Sequence, residues 1–219
     1  MRRRPVRRRF HDSRDDTMTT TAPFTAKDVS ELRARTGAGM MECKRALEET
    51  NGNMDKAIEH LRTKGIAKAE KRAGKTASEG VIGHYVHHNG KVGVLVEVNC
   101  ETDFVARTDD FKNLAKAIAE HIAAAAPLGV DKDAVPAEKV ESERRIFEQQ
   151  VREQGKPEAM IGKIVEGKVQ AYYKDVALLH QAWVREPKKT IGDLIKETSA
   201  KVGENIVVKR FTRYQLGGE

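Results

Sequence analysis

Val98-Asn99-Cys100-Glu101-Thr102-Asp103-Phe104-Val105-Ala106-Arg107 is the run on which the reading of this chain turns. Upstream of it, Val92 to Val98 carries Val at every second position, the period of a pleated strand with one face buried. Downstream, a helix opens at about Thr108, with Phe111, Leu114, Ala115, Ile118 and Ile122 at helical spacing. The run is therefore a strand-to-helix corner. At that corner an acid and a large aromatic ring, Asp103 and Phe104, stand side by side. Such a corner is a rigid place from which to display an apolar ring with a carboxylate beside it. The plainer alternative is that Phe104 plugs the corner and Asp103 serves the helix N-terminus.

Moving toward the N-terminus, Gly80–His88 and Lys91–Asn99 read as a hairpin, with Asn89-Gly90 as a type I′ turn. His84, His87 and His88 invite a metal hypothesis. On a strand, however, His87 points away from the other two, and no acidic or cysteine partner stands at ligand spacing. No metal site is expected, and nothing in the sequence lowers the pKa of Cys100 enough to make it a nucleophile. Residues 66–79 are charged and small and read as a helical or extended linker. Gly74-Lys75-Thr76 resembles the end of a phosphate-binding loop, but Ala69 stands where that loop needs its first Gly and no strand precedes it. No nucleotide site and no cofactor are expected.

Before the linker, three short helices fill residues 23–65. The first opens at Thr25 with a capping box closed by Asp28 and carries Val29 and Leu32. The second runs from Gly39 to Thr50. The third is capped by Asn53 and is expected to close at Gly65. Neighbours on a helix lie about 100° apart, so Met40 and Met41 cannot both face one core, and at least one is available to a partner. Such a bundle is small for an independent domain and reads as a docking module.

Toward the C-terminus, Pro136 begins a polar helix running to about Gln154, and Gly155-Lys156-Pro157 separates it from another containing Ile161, Ile164, Val165, Val169 and Tyr172. Val176–Val184 is apolar without helical spacing. A second capping box, Thr190 to Asp193, opens a helix that closes at Gly203, and a last strand spans Asn205–Tyr214. Its adjacent Val207 and Val208 suggest cover on both faces, one of them from a second copy of the chain. The fold class is α+β: a three-helix N-terminal bundle followed by a core, residues 80–217, with a small antiparallel sheet packed by helices.

Composition narrows the function classes. No apolar run approaches the ~20 residues that span a bilayer. The two cysteines, Cys43 and Cys100, have no CxxC partner, which fits a reducing cytoplasm. The net charge of +7 looks like a nucleic-acid signal. The first 17 residues, with seven Arg and three Asp, supply +4 of it and leave only +3 for the other 202. Residues 1–22 read as a disordered basic tail, with Met18 as the expected true start. No paired carboxylates, Ser-His-Asp set, HExxH or glycine-rich dinucleotide run is present, so an enzyme is the weaker class.

Three stretches resemble one known family. Thr36-Gly37-Ala38-Gly39-Met40-Met41-Glu42-Cys43-Lys44 is similar to the signature that opens elongation factor Ts, the guanine-nucleotide exchange factor of elongation factor Tu. Glu97–Arg107 resembles that family's second signature and Gly203–Phe211 its third, in the same order. The resemblance covers residues 23–217. It implies a ubiquitin-associated-like bundle at 23–65 and elongation factor Tu as partner. It further implies that Thr102, Asp103, Phe104 and Val105 act as a wedge that dislodges Mg²⁺ from that partner. Positions Arg33, Met40, Met41 and Lys44 would hold the same domain from the bundle. The chain looks like the short form, lacking the second core subdomain and the inserted hairpin of helices, and this form works as a symmetric dimer. A cytoplasmic factor that binds neither membrane nor nucleic acid follows. The competing reading is an RNA- or ribosome-associated protein acting through the Arg-rich tail, with affinity falling steeply in salt.

Overall fold

The computed structural model describes residues 23–218, so the reading of the Arg-rich start and of Met18 lies outside the described residues. Three N-terminal helices come first: α1 (Ala26–Thr36), α2 (Met40–Glu49) and α3 (Met54–Arg72). Both halves of the Thr25–Asp28 capping box form, and Asn53 caps α3 by accepting from the Lys56 N–H. Leu32, Cys43, Leu47 and Ala57 are fully buried at the centre of this bundle, with Phe24, Ile58 and Leu61 packed around them.

The third helix does not close at Gly65. It continues two further turns through Ala67, Lys68, Ala69, Glu70 and Lys71, all good helix formers. Gly65 is a contact residue and not a cap: a Cβ there would sit 2.9 Å from the Ala200 Cβ of the helix described below as α8. Only Ala73–Ser78 of the stretch read as a linker lacks helix or strand.

The core is organised on β1 (Glu79–Val86) and β2 (Val92–Cys100), paired antiparallel, with β5 (Val207–Gln215) antiparallel on the other side of β2. The turn between β1 and β2 differs from the expected type. Only Gly90 takes positive φ (+69°), and its N–H donates to the His87 carbonyl at 2.7 Å. Asn89 keeps an ordinary φ and uses its side chain to accept from the Lys91 N–H. A turn with one left-handed position has replaced the type I′ turn, which needs two.

After β2 come a single turn of helix, α4 (Asp103–Ala106), and then α5 (Asp109–Ala125), capped by Thr108. Phe111, Leu114, Ile118 and Ile122 of α5 lie over Val94, Val96 and Val98 of β2, and all are buried. Ile191 and Ile195 of α8 (Ile191–Val202) complete this core, behind the Thr190–Asp193 capping box. In β5 the adjacent valines point to opposite faces: Val208 is buried and Val207 exposed. A bulge opposite Glu97/Val98 then interrupts the alternation, which explains its incompleteness in the sequence.

Between α5 and α8 stand two long helices, α6 (Ala137–Glu153) and α7 (Glu158–Val176). They fold back on each other around their own apolar core of Val140, Val151, Ile161, Val165 and Val169, with Phe147 edge-on to Tyr172. The expected absence of a helical hairpin is thus corrected. Both helices were visible in the sequence, but the break at Gly155-Lys156-Pro157 is a reversal that pairs them. The apolar run Val176–Val184 lacks helical spacing because it threads the core. It makes one 3₁₀ turn (Leu178–His180) and then β3 (Ala182–Trp183), which pairs with β4 (Glu186–Thr190). The α+β class holds. Among the described residues no helix is long and apolar enough to cross a membrane.

Candidate functional site

The corner singled out in the sequence is built by three successive caps. Thr102 is the N-cap of α4 and accepts from the Val105 N–H at 3.4 Å. Thr108 caps α5 by accepting from the Phe111 N–H, and its hydroxyl donates back to the Val105 carbonyl at 2.7 Å. Cys100 closes the strand end by donating its thiol to the Thr102 carbonyl. Burial pushes that thiol up to about 11, so it is protonated at neutral pH and has no nucleophilic character.

One turn of helix can face the core with only half its side chains. Here Ala106 is buried and Val105 packs against the sheet core, while Phe104 is turned out and is 79% exposed. Asp103 stands beside the ring and accepts from Arg107 Nη2 at 2.7 Å, an exposed i,i+4 pair. The plug reading of Phe104 is excluded by its exposure: this chain leaves most of the ring uncovered. An uncovered aromatic on a rigid corner is the kind of residue that anchors interfaces.

The corner is held from behind by two acids to which the sequence reading gave no role. Glu204, between α8 and β5, accepts from the Glu101 and Thr102 N–H groups and from the Thr102 hydroxyl. Glu101 accepts from the Asn205 N–H and from two nitrogens of Arg72 at the end of α3. That pairing with Arg72, helped by the Asn205 N–H, holds the Glu101 carboxyl below its usual range. Both acids sit inside the quoted runs, but nothing in sequence spacing announces that residues about a hundred positions apart exchange hydrogen bonds.

The second group of expected contact residues lies on the bundle. Met40, Met41 and Lys44 occupy the first turns of α2, and Arg33 the last turn of α1. All four are exposed, including both methionines. Two apolar thioethers bared on one helix turn are again unusual for a surface with no partner. Among the described residues no hydrogen bond or ion pair joins this group to the corner. A cleft of about 690 Å³ lies between bundle and core, lined by sequence neighbours of both groups but by none of these residues themselves. Glu42, beside Met41, and Asp110, in the first turn of α5, both line it. Across its floor Lys201 of α8 underlies Gly37 and reaches Asp110 at 2.5 Å. The histidines His84, His87 and His88 are not gathered: among the described residues no group of three or more His, Cys, Asp and Glu side chains could hold a metal ion.

The arrangement thus offers two exposed apolar anchors, Phe104 on the corner and the methionine pair on α2. Comparison with known proteins places the chain in a family. The family model described as elongation factor TS matches residues 7–218. A protein named elongation factor Ts from Fervidobacterium nodosum is 55% identical over 194 residues, covering 89% of this chain and 98% of that relative. One from Syntrophomonas wolfei is also 55% identical, with 89% and 91% covered. One from Desulfitobacterium hafniense is 54% identical over 196 residues, with 90% of each covered.

Proposed function

This chain belongs to the elongation factor Ts family and is a translation elongation factor acting as guanine-nucleotide exchange factor for elongation factor Tu; from that premise we propose that Thr102–Val105 is the wedge that drives exchange. The observation that carries the reading is the 79% exposure of Phe104 on a turn fixed at both ends. The ring enters the nucleotide-binding domain of elongation factor Tu with Asp103 at the same contact. Mg²⁺ demands near-ideal octahedral oxygen coordination. A small displacement of the loops that hold it therefore weakens nucleotide binding sharply.

The energetics require more than one anchor. Exchange factor and nucleotide weaken each other's binding reciprocally. Emptying a mostly occupied site takes about 5 kcal/mol of differential binding, and one buried Phe supplies about 3 kcal/mol. Arg33, Met40, Met41 and Lys44 provide the second surface. The continuous α3 supports this division of labour better than a slack tether would. Its second half lies against α8, with ion pairs Arg62–Glu197 at 2.6 Å and Lys196–Glu70 at 2.9 Å. The two anchors are thereby held in a fixed relation before the partner is met, which lowers the ordering cost of binding. No covalent chemistry is involved, and the factor works in the cytoplasm. The test is stimulated release of labelled GDP from elongation factor Tu by the Phe104→Ala variant: slow release is expected, and normal release overturns the wedge.

A second copy of the chain is also a partner in this reading. The face of the β1-β2-β5 sheet away from α5 bears Ile82, Val86, Leu95 and Tyr214, all exposed. The register sets them close together: Val86 is opposite Gly93, which is opposite Tyr214, and Leu95 lies two residues along β2 on the same face. Packed face to face with its own copy, this bare sheet would become a two-layer sandwich. Leu95→Lys should convert a dimer of the native chain to a monomer by light scattering after size exclusion. A native chain that is monomeric at tens of micromolar would refute the pairing.

A further inference from the structure

Behind the Thr102–Val105 turn, two carboxylates cross over each other. Glu204 takes three hydrogen bonds from the corner: the Glu101 N–H at 3.1 Å, the Thr102 N–H at 3.0 Å and the Thr102 hydroxyl at 2.6 Å. Glu101 reaches back the other way and accepts the Asn205 N–H at 2.7 Å. Each acid thus holds the backbone beside the other. The remaining capacity of Glu101 goes to Arg72, through Nε at 3.1 Å and Nη2 at 3.0 Å. Asn205 completes the node by donating its side-chain amide to the carbonyls of Ala73 at 3.4 Å and Lys75 at 2.7 Å. Three segments distant in sequence, the end of α3, the start of α4 and the α8–β5 turn, meet at these side chains.

The physical need for such a node is plain. A four-residue helix has one turn and no propagation to offset its nucleation, so its orientation must be imposed from outside. Carboxylates accepting from backbone N–H groups, and an Arg gripping a carboxylate with two nitrogens, are the strong and directional kinds of hydrogen bond. Glu101 is largely buried, its side chain 15% exposed, so water competes little for these bonds.

We propose that Glu204 and Glu101 are positioning residues that fix the angle at which Phe104 is presented, and that Arg72 and Asn205 tie that angle to the end of the bundle helix. The clasp itself stands on the geometry above; its consequence for exchange rests on the wedge reading of Phe104.

Glu204→Gln keeps the shape of the side chain but puts an amide group where N–H donors converge. Two measurements on the full chain then separate the steps. Amide hydrogen exchange at Thr102 and Val105 should quicken at least tenfold, while Val94, Val96 and Val98 in the sheet change less than twofold. In GDP release from elongation factor Tu, the maximal rate should fall at least fivefold while the half-saturating concentration of the factor moves less than twofold. The same substitution made on top of Phe104→Ala should cost nothing further. Unchanged amide exchange at Thr102 and Val105 overturns the clasp. Quickened exchange with a normal maximal rate, or an equal loss in the Phe104→Ala background, overturns positioning. If Phe104→Ala alone leaves release untouched, the wedge reading has failed, and the amide measurement still decides the clasp. Should Glu204→Gln loosen the sheet as well, Arg72→Ala removes the guanidinium part of the α3 leg and leaves the Asn205 bonds in place: faster exchange at Thr102 over an unchanged sheet supports the clasp, and no change overturns it.

Discussion

Phe104→Ala separates the wedge from the fold more cleanly than any other single change. In the free chain 79% of this residue is exposed, so trimming it removes about a fifth of a Phe side chain's burial. At about 3 kcal/mol for a fully buried Phe, that fifth is about 0.6 kcal/mol. For a chain of this size the melting temperature should fall by only about 2 °C. The other four-fifths, about 2.4 kcal/mol, is what the ring can contribute on entering a partner. At about 1.4 kcal/mol per factor of ten, its loss slows stimulated GDP release by about 50-fold. If the partner covers only about 60% of that area, the loss is still about tenfold. The assay is stopped-flow release of a fluorescent GDP from elongation factor Tu at saturating factor, with thermal melts of both variants alongside. A Phe104→Ala variant that melts normally and releases nucleotide within twofold of the native rate would refute the reasoning, because no other apolar side chain of this turn is exposed enough to substitute.

Replacing Met40 and Met41 together by Ala should act on affinity and not on rate. Both are exposed, so the melting point should hold, while the half-saturating concentration rises about tenfold for about 1.5 kcal/mol of lost contact and the maximal release rate stays near native. A fall in maximal rate with unchanged half-saturation would show that the bundle does more than hold. Stability should also depend on pH through His121. Its ring is fully buried, with Nε2 on Gln181 Oε1 at 2.9 Å and Nδ1 accepting from the Val184 N–H at 3.3 Å, so no lone pair is free for a second proton. Burial lowers its pKa, so the unfolded chain takes up the proton first. Its contribution is complete above about pH 6.5 and is lost as the pH falls below that value. Denaturant midpoints should show that decline and His121→Gln should flatten it; a flat native profile would sink the assignment. The carboxyls of Asp28, Asp193 and Glu101 are held low by their hydrogen bonds, so their contribution is complete above the ordinary carboxylate range of about pH 4 to 4.5 and is lost as the pH falls further, an onset well below that of His121 at about pH 6.5.

The parts of this molecule that were legible in its sequence are those written in local chemistry. Thr25 with Asp28 and Thr190 with Asp193 announced two helix starts, because a capping box is a contact between residues three apart. The alternating valines of β2 gave the sheet and its buried face. What escaped was decided by contacts between distant segments. Gly65 read as a stop because glycine usually ends helices, but here it makes room for Ala200. The break at Gly155 read as a boundary, although the apolar faces of α6 and α7 needed each other for burial. At the corner, sequence placed Phe104 and Asp103 correctly in a short connection but could not choose between a plugging ring and a presented one. That choice depends on Val105 and Ala106 turning inward, which follows from how the turn sits on the sheet. The roles of Glu101 and Glu204 were hidden for the same reason.

The unbroken run of α3 past Gly65 has a further implication. A helix is a screw as well as a rod, advancing about 1.5 Å and turning about 100° with each residue. One residue inserted or deleted between Gly65 and Arg72 would leave every side chain chemically intact, yet swing the methionine-bearing edge of the bundle about a quarter of a revolution away from the corner. Exposed positions in that interval such as Ala67 and Lys71 should tolerate substitution and changes in its length should not be tolerated, because the segment works as the bar of a caliper whose jaws must stay in phase.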